Sequence, residues 1–325
     1  VNTRVAITGV SGFVGAHVLE YFLHTTDWEI VCLVRMSRAG NLNRLESIVE
    51  GYNLPKRVQI IRHDLIDPLD SVHRHIGEVD YIVHVAADSH VDDSITRPRE
   101  VFVNNSLSTI SMLDYARKYQ TRLKRFIYYS TDEVYGDAEV GSKFKETDAL
   151  NPRNPYSAGK ASGEMIANAY METYGLPITI MRTMNMFGER QDPEKFVPKI
   201  VGHILRGEKV PIHHTGGVVG SRYWLYAKNS ASAILYMLEQ NEKKINVGSE
   251  VELSNLEMAQ KVADIMGQEL KYEMVEAKSI RPGYDRRYSI DYSKILELGW
   301  RPPFDFDNAL EQTVKFSMNN PEWVK

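Results

Sequence analysis

Two short stretches of the chain carry side chains that could move protons. Tyr156 and Lys160 stand four residues apart in a helical pattern, so both fall on one helix face. A phenol is a poor base near neutral pH, with an unperturbed pKa of about 10. A neighbouring ammonium favours the phenolate and lowers that value, so the pair has the parts of a general base for an alcohol or sugar hydroxyl. The second stretch, Ser130-Thr131-Asp132-Glu133-Val134-Tyr135-Gly136, follows the apolar run Phe126-Ile127-Tyr128-Tyr129, which reads as a buried strand ending where a site begins. Thr131, Asp132 and Glu133 place a hydroxyl and two carboxyl groups at that strand end.

These groups need a frame, and the chain opens with one. Val5-Ala6-Ile7-Thr8 is a short apolar strand, followed at once by Gly9-Val10-Ser11-Gly12-Phe13-Val14-Gly15 and a helical pattern. Glycines at this spacing permit a tight turn and let backbone N–H groups of Gly9, Ser11, Gly12, Phe13, Val14 and Gly15 approach a pyrophosphate at a helix N-terminus. Ile30 to Val34 is the second strand, and a ribose-reading carboxylate is expected at its end. Val34 stands there instead, followed by Arg35, Ser37 and Arg38. Two guanidiniums and a hydroxyl suit a 2′-phosphate, which favours NADP, with NAD the second choice. Past the third strand, Val58 to Ile61, come Asp64 and Leu65, where an adenine is commonly met, although an aspartate in a turn needs no ligand. The fourth strand, Tyr81 to Val85, leads into Ala86 and Ala87, small enough for close passage of a cofactor. His90, just beyond, could bond a substrate or simply complete a turn.

The alternation continues with a helix from about Pro98 to Lys118, the strand before Ser130, a helix over Tyr156 to Thr173 behind Pro155, and a strand Ile178 to Met181. Strands and helices alternating at these lengths predict an α/β Rossmann-type doubly wound parallel sheet with its ligand at the strand carboxyl ends. Beyond about Asn185 the pattern becomes irregular, and Pro211 to Gly220 is Gly- and His-containing without an assigned element. A capping box, Ser254-x-x-Glu257, opens one more helix. The expected division is a dinucleotide-binding domain over 1–184, with 225–248 returning to it, and a smaller, mixed α/β domain over 185–325 that closes over the sheet.

Bulk composition excludes several alternatives. With 39 basic and 43 acidic residues spread along 325, no concentrated basic face is available for nucleic acid or an anionic membrane. No apolar run approaches the ~20 residues of a membrane-spanning helix, and the expected setting is the cytoplasm. The single cysteine, Cys32, lies in a strand and reads as a small buried hydrophobe. His213-His214 and the spread of other histidines lack metal-ligand spacing, so no metal is expected.

The glycine turn, the Asp-Glu pair and the Tyr-Lys pair together resemble the extended short-chain dehydrogenase/reductase family, and more narrowly its nucleotide-diphosphate-sugar 4,6-dehydratases. The likeness runs along nearly the whole chain. Ala86 to Asp92 is similar to the family's substrate-side loop, with Asp88 where a glutamate is usual. Asn185-Met186-Phe187-Gly188, Pro193 to Pro198 and Arg281 to Tyr288 are similar to its sugar-nucleotide segments. The resemblance therefore makes 185–325 the sugar-nucleotide-binding domain and implies substrate contacts from Ser89, His90, Asn185, Lys195, Arg222, Arg281 and Asp285. Val34 with Arg35 is like the GDP-sugar members, which again implies NADP, and Arg222-Tyr223-Trp224 departs from the usual Arg-Asp-Trp. The substrate stays open between a dTDP-glucose-like sugar nucleotide and a GDP- or UDP-N-acetylglucosamine-like one.

In the chemistry this implies, Tyr156 takes the proton from the sugar O4 as C4 is oxidised, with Thr131 bonded to that oxygen. Lys160 holds the cofactor ribose and keeps the Tyr156 pKa low, and both residues count among the cofactor contacts. Glu133 removes the acidified H5, and Asp132, kept protonated, protonates the departing 6-hydroxyl. The tightly held dinucleotide is regenerated each cycle. An NDP-sugar 4-epimerase needs only the Tyr-Lys pair, and a non-catalytic NADP-binding sensor needs neither pair. The resemblance also implies a homodimer through a four-helix contact.

Overall fold

The computed structural model describes residues 2–35, 42–50, 57–276 and 287–325. Ser37, Arg38, Arg281 and Asp285 lie outside the described residues. The first half alternates β1 (Arg4–Thr8), α1 (Phe13–Thr25), β2 (Glu29–Val34), α2 (Leu42–Glu50), β3 (Val58–Arg62), α3 (His73–Ile76) and β4 (Tyr81–His84). It continues through α4 (Val91–Thr96), α5 (Pro98–Tyr119), β5 (Arg125–Thr131), α6 (Pro155–Tyr174) and β6 (Ile178–Thr183). The second half adds β7 (Asn185–Phe187), α7 (Phe196–Leu205), β8 (Val210–Thr215), β9 (Val218–Val219), β10 (Ser221–Tyr226) and α8 (Ala227–Leu238). It ends with β11 (Lys244–Val247), β12 (Glu252–Ser254), α9 (Asn255–Met266), β13 (Tyr272–Glu276), α10 (Ser293–Glu297) and α11 (Phe306–Asn319).

Seven parallel strands form the central sheet in the order β11-β6-β5-β4-β1-β2-β3. The strands read as continuous apolar runs because both faces are covered: one buried cluster packs Ile7, Phe22, Val83 and Ile127, the other Ala6, Ile82, Met112 and Phe126. Strand order reverses between β1 and β4, which opens a crevice at their carboxyl ends. This is the Rossmann-type doubly wound sheet that the alternation predicts. Two three-stranded sheets, β12-β10-β7 and β13-β8-β9, belong to the mixed part, whose own core includes Phe187, Val201, Trp224 and Val262.

Local signals place the ends of the important helices. Asn154 and Ser157 form a reciprocal capping box before α6, and Gly175 closes it in the left-handed conformation at φ 67°. The Ser254–Glu257 box opens α9 as the spacing predicts. The Gly- and His-containing segment from Pro211 to Gly220 forms a hairpin: β8 turns through Gly216 and Gly217, both at positive φ, into β9. Among the described residues, no helix is long and apolar enough to cross a membrane.

Candidate active site

The glycine turn packs more tightly than any other backbone could. Gly9 has φ 72°, and a Cβ there would meet the Ala86 amide nitrogen at 2.9 Å. A Cβ on Gly15 would lie 2.2 Å from the Gly9 carbonyl oxygen. The turn therefore brings β1, the start of α1 and the Ala86-Ala87 segment together at the point where strand order reverses. Thr8 Oγ1 accepts hydrogen bonds from the Val85 and Ala86 amides and donates to His84 Nδ1 at 2.9 Å. Burial, aided by the Lys160 charge, pushes His84 down to about 3, so this ring is a neutral strut. Ser11 is buried, and its carbonyl accepts from Arg44, whose guanidinium also reaches the Arg190 carbonyl and Asp192. The missing side chains of Gly9 and Gly15 let the turn close at the N-terminus of α1, where backbone N–H groups and the helix dipole suit an anion such as a dinucleotide pyrophosphate.

At the far end of the crevice, Arg35 donates to Asn104 Oδ1 at 2.7 Å and Asp88 Oδ1 at 3.2 Å, with Asp64 Oδ2 at 3.7 Å. Asp64 Oδ1 also caps its own turn by accepting from the Ile66 amide. Leu65 is buried beside it. The Asp88 backbone is held at both N–H and C=O by the Asn105 side-chain amide, which fixes the loop onto α5. Further along that loop, Lys195 Nζ reaches the Ser89 carbonyl at 3.4 Å, and His90 Nε2 is 3.4 Å from Glu194. Ser89, His90 and Lys195 thus converge across the mouth of the crevice.

The carboxylate pair sits where β5 ends. Thr131 Oγ1 accepts from the Glu133 amide at 3.3 Å, starting one 3-10 turn over Asp132–Tyr135 that Gly136 closes at φ 84°. Asp132 is buried and accepts from Thr131 Oγ1 through Oδ1, while Oδ2 has no partner among the described residues. Burial, and then the Glu133 charge, lift Asp132 to about 8, against the pull of Arg222. Glu133 accepts from Asn154 Nδ2 at 3.1 Å and from the Tyr288 hydroxyl at 3.5 Å. Arg222 covers the Tyr288 ring at 4.6 Å, and the Asn185 amide nitrogen is buried without a partner among the described residues.

Tyr156 and Lys160 share the first turns of α6, but their balance differs from the simple expectation. Burial and the carboxylate of Glu133 hold the Tyr156 phenol well above its usual range. The Lys160 ammonium lies over the Tyr128 ring, 4.5 Å from its centroid. Burial brings Lys160 down to about 8, with Glu164 acting the other way. A helical i, i+4 offset puts two groups on one face without dictating which neighbour the flexible lysine selects. Asn154 and Tyr288 are the contacts to Glu133 that residue spacing did not single out. Asn154 carried a signal, an Asn-Pro step at a helix start, whereas Tyr288 is reachable only through tertiary folding.

Comparison with known proteins fits this geometry. The GDP-mannose 4,6 dehydratase family model matches residues 6–313. The chain belongs to this family. Its class is the nucleotide-sugar 4,6-dehydratases, hydro-lyases built on the extended short-chain dehydrogenase/reductase fold. It is 38% identical to the low-salt glycan biosynthesis protein Agl12 of Haloferax volcanii, over 98% of this chain and 99% of that one. It is 33% identical to a dTDP-glucose 4,6-dehydratase of Escherichia coli, over 99% and 94% of the two chains. The crystal structure of DesIV, a dTDP-glucose 4,6-dehydratase from Streptomyces venezuelae with NAD and TYD bound, superposes with a TM-score of 0.89 at 32% identity, covering 99% of this chain and 98% of that one. A nicotinamide dinucleotide is accordingly the class of cofactor for the crevice.

Proposed function

We propose that the protein converts a nucleotide-diphosphate hexose of the glucose type into the 4-keto-6-deoxy sugar, with Thr131, Asp132, Glu133, Tyr156 and Lys160 as the working groups. One observation carries this reading: two adjacent carboxyls at one strand end sit in different surroundings, Asp132 buried and raised to about 8, Glu133 accepting hydrogen bonds from Asn154 and Tyr288. An acid and a base side by side are what loss of water across C5 and C6 requires. Bound at the glycine turn, a nicotinamide dinucleotide supplies hydride acceptance at C4 and hydride return at C6.

The protein side of the reaction follows from the site. Tyr156 takes the O4 proton, and Thr131 Oγ1 holds that oxygen in place. The Lys160 charge supports the phenolate once substrate and cofactor order the crevice. The 4-ketone acidifies H5, which Glu133 removes, and the bond from C6 to its hydroxyl breaks as Asp132 delivers its proton, so the group leaves as water. Ser89, His90, Asn185, Lys195 and Arg222 surround the sugar nucleotide, with Arg281 and Asp285 contributing from the C-terminal string. A dTDP-linked glucose is the first substrate of choice, since curated relatives carry that name.

For the cofactor, Val34 followed by Arg35, Ser37 and Arg38 supports NADP. A specific observation favours NAD instead: Asp64 and Asp88 already surround the Arg35 guanidinium and would repel a 2′-phosphate. Comparing the affinities of NAD and NADP separates the two. Phe102, Val103 and Leu107 on α5, with Met165 and Tyr174 on α6, are exposed, which supports a homodimer through a four-helix contact. Incubation with dTDP-, UDP-, CDP- and GDP-linked glucose and N-acetylglucosamine tests the whole reading through the 4-keto chromophore in base. A product inverted at C4 without that chromophore would make the protein an epimerase, and no turnover of any sugar would leave a binding protein.

A further inference from the structure

The catalytic turn is gripped from both sides by a single buried ion pair. Arg182 on β6 donates through Nε to both oxygens of Glu164 on α6, at 3.0 and 3.1 Å, and through Nη2 to Oε2 at 2.6 Å. Both side chains are within 2% of complete burial. Glu164 also accepts from Ser130 Oγ at 2.6 Å, immediately before Thr131. Arg182 donates through Nη1 to the hydroxyl of Tyr135, the last residue of the turn, and its guanidinium lies over that ring at 4.7 Å. The Tyr135 hydroxyl is itself anchored to the Lys145 carbonyl and Asn246. One ion pair therefore holds the residues that bracket Thr131, Asp132 and Glu133. Glu164 also stands one helical turn beyond Lys160, on the helix that carries Tyr156 in its first turn.

We propose that Glu164 and Arg182 are positioning residues that lock the Asp132–Glu133 couple to the Tyr156–Lys160 helix, so that proton removal at O4 and water loss at C5–C6 act on one bound sugar. This rests on the dehydratase reading above. A purely stabilising role explains the pair poorly, because the cost of desolvating two buried charges offsets most of their attraction. Orientation is different: misplacing a reacting group by about 1 Å costs on the order of 100-fold in rate. The pair touches no reacting atom; it acts through Ser130 and Tyr135.

The test uses the full chain with cofactor bound and the best sugar nucleotide from the substrate screen. Glu164→Leu with Arg182→Met removes both charges together, the change that a buried pair tolerates best. The mild variants Ser130→Ala and Tyr135→Phe each release one end of the turn and keep the volume almost unchanged. The expected result for the double variant is KM within about twofold and kcat down by about 100-fold. C5 solvent-proton exchange should fall further than C4 oxidation, so oxidised, undehydrated hexose accumulates. Each mild variant should show the same imbalance at about tenfold. Folded variants with unchanged exchange, or with both steps lowered equally alongside Tm, would overturn the proposal. If the double variant does not fold, the same two outcomes in Ser130→Ala and Tyr135→Phe decide it. A wild-type chain that makes no 4-keto-6-deoxy product is a separate result, which removes the dehydratase reading itself.

Discussion

Asp132→Asn should stabilise the protein while removing its activity, and the effect should depend on pH in a defined way. In the folded chain, Asp132 titrates at about 8, because burial and the neighbouring Glu133 charge oppose ionisation. In the unfolded chain it titrates near ~3.9. Unfolding above that value therefore releases a proton, and wild-type stability falls as pH climbs toward 8. Each unit of difference is about 1.4 kcal/mol, so the penalty is about 1.5 kcal/mol at pH 5 and at most about 4 kcal/mol at pH 7. Asparagine matches the shape and carries no such penalty. It leaves a pH-independent offset of about 1–3 kcal/mol if its amide finds no partner where Oδ2 has none among the described residues. The gap between variant and wild type, measured by urea denaturation at constant ionic strength, should widen by about 2–3 kcal/mol from pH 5 to pH 7 in favour of asparagine. Turnover should drop by at least about 100-fold with the loss of the general acid. Parallel stability curves for the two proteins across this range would show that Asp132 is ionised in the fold, and the acid–base division would fail.

Three further outcomes follow from the same geometry. Glu133→Gln should retain C4 oxidation and lose exchange of the C5 proton with solvent, read by deuterium incorporation into the sugar. Gly15→Ala sets a methyl 2.2 Å from the Gly9 carbonyl oxygen, and should cost at least about 2 kcal/mol of stability together with dinucleotide affinity, checked by thermal melting and cofactor titration. Cys32 is fully buried with its thiol pushed up to about 12, so the native chain should resist alkylation at pH 8 and yield one reactive thiol on denaturation.

Requirements that are local were legible in the residues themselves. Gly9 and Gly15 announce a backbone that tolerates no Cβ, and the clash distances give the reason. The start signal at Pro155 and the Ser254–Glu257 box act within one helical turn, so spacing alone locates them. The β8–β9 hairpin escaped because Gly216-Gly217 reads equally well as a loop until both flanking runs are seen to pair. Contacts that cross the fold left no trace in spacing. Arg44 reaches the Ser11 carbonyl from 33 residues away, and Tyr288 reaches Glu133 from 155. The fate of Arg35 is the sharpest case: its position after β2 points to a phosphate, yet Asp64 and Asp88, from two other strand ends, share its guanidinium.

The carboxylate pair shows why residue type alone under-determines mechanism. Asp132 and Glu133 are adjacent, carry the same functional group, and would titrate within about half a unit of each other in an unfolded chain. What separates them is the 3-10 turn, which buries one side chain and aims the other at Asn154 and Tyr288. Desolvation disfavours the charged form of the first, and the Glu133 charge raises it further, while Asn154 and Tyr288 both donate to the second. A turn that slipped by one residue would put Glu133 at the buried position and Val134 at the bonded one, leaving the site without its base. The precision of that turn is therefore a chemical requirement, and Ser130, two residues before it, and Tyr135, its last residue, are where the fold meets it.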